Sequence, residues 1–199
     1  MADEAADPNP PKTNTDGKVD TIEHFQGDEN DPANDPNNKK YTRRIVIPMD
    51  GSGCGNRALE IYMSIFHQPN DYVVLVHIHQ PPTLSGLSLA AAPTLYMSHE
   101  YRKSVEDSVV KCQKYGQQLK QQAINLGLKF KIVLATVQGR GCGDTILSIA
   151  KEYDPSLIII GSRGLGTFSR FMLGSTSDFL VHHSELPVCV VPPAQHSSK

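Results

Sequence analysis

The sequence predicts an α/β domain of three layers, in which helices cover both faces of an open, five-stranded parallel sheet. Two observations carry this. Five short β-branched runs alternate with segments of helical periodicity, the pattern of strands joined by crossover helices. The runs are also apolar at successive positions rather than at every second one, which marks strands buried on both faces and therefore a parallel sheet. Right-handed crossovers follow from the twist of the strands.

The first strand is Arg44-Ile45-Val46-Ile47-Pro48-Met49-Asp50, closed by a proline and an acid, with Gly51-Ser52-Gly53 as the turn into a helix. Ala58, Ile61, Tyr62, Ile65 and Phe66 then fall at i, i+3, i+4, i+7 and i+8 and predict one apolar stripe on that helix. YVVLVHIH, residues 72–79, is the second strand. Residues 80–97 hold Pro81, Pro82, Gly86 and Pro93 among small residues and are expected to form a long, mobile connection. From His99 to Leu126 the residues Val105, Val109, Cys112, Leu119, Ala123 and Leu126 keep helical spacing, and Gly127 ends the helix. Lys129 to Val137 is the third strand. Asp144 to Tyr153, with Ile146, Ile149, Ala150 and Tyr153, is the third helix. Leu157 to Gly161, Ser175 to His183 and Val188 to Val191 are the last strand, helix and strand, the final one stopped by Pro192-Pro193.

A chain of 199 residues, 39% hydrophobic and 20% charged, is long enough for one domain with a sizeable core and a tail. The tail is residues 1–40, where ten acids face four lysines and five prolines interrupt a stretch with no apolar run. Such a segment is expected to be disordered. The domain is expected over 41–193, followed by a flexible C-terminus at 194–199. With the whole chain at −2 and the tail at −6, residues 41–199 carry +4. That mild surplus suits a small anion better than a nucleic-acid surface. Neither a signal-peptide core nor eighteen successive apolar residues occurs, so a cytoplasmic protein with no nucleic-acid or membrane partner is expected. Cys54, Cys112, Cys142 and Cys189 lie far apart and read as free thiols.

The most informative stretch is Leu157 to Phe179. A buried strand breaks at Gly161, Gly164 follows, and both glycines permit positive φ and a close backbone approach. Gly174-Ser175-Thr176 then opens a helix, with Ser175 and Asp178 at the spacing of a capping box. A helix start of this kind can hold phosphate. The spacing alone also fits a glycine-rich turn before an ordinary helix cap. In open parallel sheets ligands sit beyond the carboxyl ends of the strands, and Asp50, Ile78, Val137 and Gly161 all fall there in the predicted strands.

IVIPMDGS at 45–52, LVHI at 75–78 and IIIGSRG at 158–164 with Gly174-Ser175 behind it resemble the universal stress protein domain, over about residues 43–193. The resemblance implies strand order 3-2-1-4-5, a Rossmann-like sheet of the adenine nucleotide alpha hydrolase-like kind. The motif Gly-x2-Gly-x9-Gly-[Ser/Thr], complete here, marks ATP-binding members of that family. By the same resemblance Asp50 would contact ribose or adenine, with Pro48 and Met49 shaping its turn. Ile78 would read the adenine edge through its backbone, and Val137 would flank the base. Gly161 and Gly164 would admit ribose and phosphates, and Gly174, Ser175 and Thr176 would donate to the phosphates; Arg163 and Arg170, near that loop, either add charge or are simply solvated. The acidic tail and the long proline-rich connection depart from the family pattern.

These readings predict an ATP-binding, nucleotide-dependent regulatory protein of the stress response, with Mg as an optional companion of the nucleotide. The alternative is a slow ATPase in which Asp50 orients water or holds Mg, although the phosphate-loop sequence Gly-x4-Gly-Lys-[Ser/Thr] is absent. An FMN domain would need aromatic stacking, and the chain has no Trp. No catalytic residue is assigned, and no metal site: His77 and His79 alternate onto one strand face but lack a third ligand. His182 and His183 read as favourable charges at a helix end, and Cys189 as core. Finally, Val188-Val191 is apolar on both faces and, on the family's strand order, lies at a sheet edge that nothing blunts. A symmetric homodimer through that edge is expected.

Overall fold

The computed structural model describes residues 21–26, 43–82, 98–162 and 173–194. Six strands form one sheet: β1 (Thr21–Gln26), β2 (Arg43–Pro48), β3 (Asp71–His79), β4 (Phe130–Thr136), β5 (Leu157–Gly161) and β6 (Val188–Val191). Their spatial order is β1-β4-β3-β2-β5-β6. β2 to β6 are mutually parallel, and without β1 the order is the expected 3-2-1-4-5. The helices are α1 (Gly53–Ile61), α2 (His99–Asn125), α3 (Cys142–Tyr153) and α4 (Ser175–His183). Among the described residues no helix is long and apolar enough to cross a membrane.

Successive residues of each central strand enter different cores. Ile45 and Ile47 pack with Ala58, Leu59 and Tyr62 of the first helical segment and Cys112, Leu119 and Ala123 of α2. Val46, between them, packs with Ile146, Ile149, Ala150 and Tyr153 of α3 and Leu180 of α4. The side-chain period of two sends neighbours to opposite faces, so a strand with a core on each side must be apolar throughout.

The first helix departs from its predicted stripe. α1 passes into a π-helical turn at Tyr62–Phe66, closed by the His67 N–H on the Tyr62 carbonyl at 2.8 Å. The wider turn shifts the register by one residue. Tyr62 is therefore buried as expected, while Ile65 is 68% exposed.

That turn is tied to the amino ends of the strands by Asp71, only 2% exposed. Its carboxylate accepts from Arg43 Nε and Nη2 at 2.8 and 2.7 Å. It also accepts from the Tyr62 hydroxyl and the Gln68 N–H, both at 2.9 Å. Burial pushes the Asp71 pKa up, but the Arg43 hydrogen bond, the Gln68 N–H and the Tyr62 hydroxyl outweigh it, and the carboxyl is held below its usual range. The same neighbourhood pushes the Tyr62 hydroxyl well up, through burial first and then the Asp71 charge.

One expectation needs correction. Residues 1–40 are not uniformly disordered, because Thr21–Gln26 forms β1, antiparallel to β4. Composition scores a segment by what it can bury alone. β4 offers an unpaired backbone edge, and Ile22 gains a place beside the Ile45 core. The rest of the tail, most of the 80–97 connection and residues 195–199 lie outside the described residues.

A candidate binding cleft at the strand carboxyl ends

From β2 the chain turns back to β3 on one side, while β5 joins β2 from the other. The carboxyl ends of β2, β3 and β5 therefore meet where the strand order reverses, and a cavity of about 280 Å³ opens there. Pro48, Met49, Asp50, Ile78, Gly161, Gly174, Ser175 and Thr176 all line it. Val137 is not among the lining residues; its N–H is spent on the His79 carbonyl at 2.9 Å, which holds β4 to β3. Arg163, Gly164 and Arg170 lie outside the described residues.

The turn after β2 is built from its own side chains. Met49 donates its N–H to the Val76 carbonyl at 2.7 Å. Asp50 Oδ1 accepts from the Ser52 N–H at 2.9 Å and the Ser52 hydroxyl at 2.6 Å. Ser52 Oγ in turn accepts the Cys54 N–H at 3.2 Å and caps α1. Gly51 between them has φ +77, a conformation that favours glycine. The carboxylate of Asp50 is thus oriented before any ligand arrives.

Of the two reasons expected for Gly161, the close backbone approach holds and the positive φ does not. It is a regular strand residue and is not in the left-handed region. A Cβ there would collide with the carbonyl of Cys54 in the first turn of α1. The glycine lets α1 lie directly on β5 beside the cleft. Gly161→Ala should cost about 1–3 kcal/mol, in the range of overpacked sites, and calorimetric melting checks it.

The start of α4 also differs. Gly174 is the N-cap (φ −65, ψ 153) and makes no side-chain capping bond. Ser175 is already inside the helix, one position too late to cap, and Asp178 lies 3.6 Å from His182 one turn on. The predicted capping box is therefore absent. With no capping bond from its N-cap residue, the helix start keeps the N–H groups that an α-helix cannot satisfy internally, together with the positive end of its dipole. That end borders the cleft through Gly174, Ser175, Thr176 and Ser177.

His77 and Gln80 were not foreseen as lining residues. His77 donates from Nδ1 to the Met49 carbonyl at 2.7 Å and packs edge-on to Tyr115 of α2, with centroids 4.8 Å apart. Burial lowers its pKa, against the Met49 carbonyl and the Asp50 charge, so the imidazole is neutral near pH 7. A neutral ring donating from Nδ1 carries its lone pair on Nε2. His79, two residues on along the strand, turns its Nε2 to Ser108 Oγ at 2.9 Å. Gln80 donates to Cys142 Sγ at 3.0 Å and joins the end of β3 to the start of α3. The remaining wall is apolar, with Val76, Ile146 and Ile160.

Fold and cleft together define an open α/β protein with a crevice at the switch in strand order, apolar on one side and rimmed by a helix start on the other. The chain belongs to the universal stress protein family, whose family model matches residues 42–192. It is 25% identical over 149 residues to universal stress protein YxiE of Bacillus subtilis, covering 74% of this chain and 97% of that one. Its fold is similar to that of a universal stress protein family protein from Arabidopsis thaliana with AMP bound, at TM-score 0.53 and 18% identity, over 78% of this chain and 97% of that one. It is also similar to a universal stress protein in complex with cAMP, at TM-score 0.51 and 20% identity, over 78% and 98% of the two chains.

Proposed function

We propose that the protein binds ATP in this cleft and acts as a nucleotide-dependent regulatory protein of the cytoplasm in the stress response. The observation that carries the reading is the start of α4, whose glycine N-cap makes no side-chain capping bond, in the same cavity as Asp50 and the apolar strand ends. The cavity is at the small end of ligand sites, which run from about 300 to 1,000 Å³. It suits a nucleoside, with the phosphates extending along the helix start. In this arrangement Met49, Val76, Ile78 and Ile160 would bury the base, Asp50 would accept from a ribose hydroxyl or base N–H, and the backbone of Gly174 to Thr176 would donate to phosphate oxygens. Two structural relatives with AMP and cAMP support nucleotide as the ligand class. No Lys or Arg is among the described lining residues, so among those residues the helix N–H groups are the anion donors. Arg163 and Gly164 belong to the same proposal by their place in the motif, and Mg would travel with the phosphates. Slow hydrolysis is the weaker reading, since Asp50 Oδ1 is already engaged by Ser52.

Isothermal calorimetry with ATP and adenosine tests the assignment. The φ and ψ of Gly174 are open to any residue, so Gly174→Val should fold and should weaken ATP more than adenosine. Equal losses for the two would remove α4 from the phosphate site.

The sheet also has a self-association edge in this proposal. β6 ends the sheet, and Val188, Cys189 and Val190 are partly exposed there. An antiparallel β6 pair would give a closed two-fold homodimer. Val190→Lys should shift it to monomer by light scattering, and a wild-type chain that is monomeric at every concentration would end the idea.

A further inference from the structure

At the other end of the sheet, the edge strand of the parallel domain is β4, Phe130-Lys131-Ile132-Val133-Leu134-Ala135-Thr136. It has seven residues, no proline and a single charge. That charge does not guard the edge, because Lys131 Nζ lies 5.2 Å from the ring centroid of Tyr153 on α3. A long, apolar, unblunted edge of this kind is a template for another strand. In this chain β1 covers it, pairing Thr21 with Ala135, Glu23 with Leu134, His24 with Val133, Phe25 with Ile132 and Gln26 with Lys131. The matched family region begins at residue 42, so β1 is an addition from outside it.

β1 is a poorer template than the strand it hides. The register shifts between Thr21 and Glu23, and its six residues include Glu23 and His24. Irregular, short, charged edges are the devices by which sheets avoid further pairing. Residues 27–42 separate β1 from β2, and Ile22 is partly buried against the core.

We infer that the β4 edge is a second self-association surface, and that β1 is a displaceable plug that keeps a second copy of the chain off it. With β1 in place, one open edge remains and assembly can close on a two-fold axis. With β1 displaced, β4 of one copy pairs antiparallel with β4 of another. A chain with both edges open assembles without closure. Covering β4 is independent of the nucleotide cleft, and it is separable from the β6 pairing proposed above by working in Val190→Lys.

The test uses the full chain. Adjacent residues of a strand direct their backbone groups to opposite sides, so Glu23→Pro with His24→Pro removes at least one N–H facing β4. Ile22→Lys instead puts a charge where Ile22 packs against the core. In the Val190→Lys background, light scattering should show a monomer with β1 intact and a doubled mass with either change. An excess of a synthetic peptide of residues 17–28 should restore the monomer, and a scrambled peptide should not. In the unmodified protein, hydrogen exchange should show the β1 amides and the β4 amides that face them opening together, before β2 and β3. Variants that keep their circular dichroism yet stay monomeric at several hundred micromolar would overturn the inference. So would exchange of β1 only with global unfolding.

Discussion

Replacing Asp71 with Asn should lower stability by roughly 3 kcal/mol, the low end of the range for breaking a buried ion pair. The low end applies because the Arg43 side chain is 24% exposed. In Asp71→Asn the guanidinium fork would face an amide, and the Tyr62 hydroxyl and Gln68 N–H would lose a charged acceptor. At about 2–4 °C per kcal/mol for a chain of this size, the melting temperature should fall by roughly 6–12 °C. The pH dependence has a definite sign. A carboxyl held below its ordinary value in the folded state binds fewer protons folded than unfolded. Its contribution is therefore complete above the ordinary carboxylate range and is lost as pH falls through the depressed value. Denaturant titrations of the two proteins should differ most near neutral pH and converge in acid. A variant within about 0.5 kcal/mol of the parent at pH 7, the scatter of ordinary surface substitutions, would show that the four-way contact is not a lock.

Asp50→Ala should weaken ATP and adenosine alike, by roughly 10- to 150-fold, the equivalent of about 1.5–3 kcal/mol for a hydrogen bond to a charged group. The contact proposed for Asp50 is to the nucleoside, which both ligands share. Because Oδ1 also holds the Ser52 turn, part of that loss would come from the loosened start of α1. Asp50→Asn separates the two effects, since the amide oxygen can still accept from Ser52 while the charge is gone. Calorimetry on Ala and Asn variants of unchanged melting temperature decides the matter, and unaltered adenosine binding by both would take Asp50 out of the site.

Much of the architecture was legible because burial leaves local periodicity behind. Ile45, Val46 and Ile47 could only be successive apolar residues if both faces of their strand were covered, and they are. Gly127 was readable as a helix stop because a left-handed residue after a helix is a local requirement, and its φ is +65. The candidate cleft was legible where a local rule placed a residue at a strand end. Asp50, Ile78 and Gly161 meet in one cavity for that reason. Val137 obeyed the same rule and still misses the cavity, because its strand lies beyond β3 and its N–H faces His79. His77 was overlooked as lining because nothing in YVVLVHIH says that Met49 will offer it a carbonyl.

By itself, then, the sequence determined the kind and order of the helices, and the kind, order and sidedness of the five parallel strands. Those depend on propensity, punctuation and a repeat of two or 3.6 residues, all within a window of roughly ten residues. Tertiary structure alone decided what depends on a distant neighbour. Gly161 is glycine because Cys54 arrives from a helix far earlier in the chain. Ile65 is exposed because Asp71 and Arg43 gather the turn around Tyr62. Thr21–Gln26 becomes a strand because β4 presents unpaired backbone groups to it. A backbone donor or acceptor left open at a sheet edge is invisible to composition, yet it is enough to order a segment whose own residues would leave it unfolded.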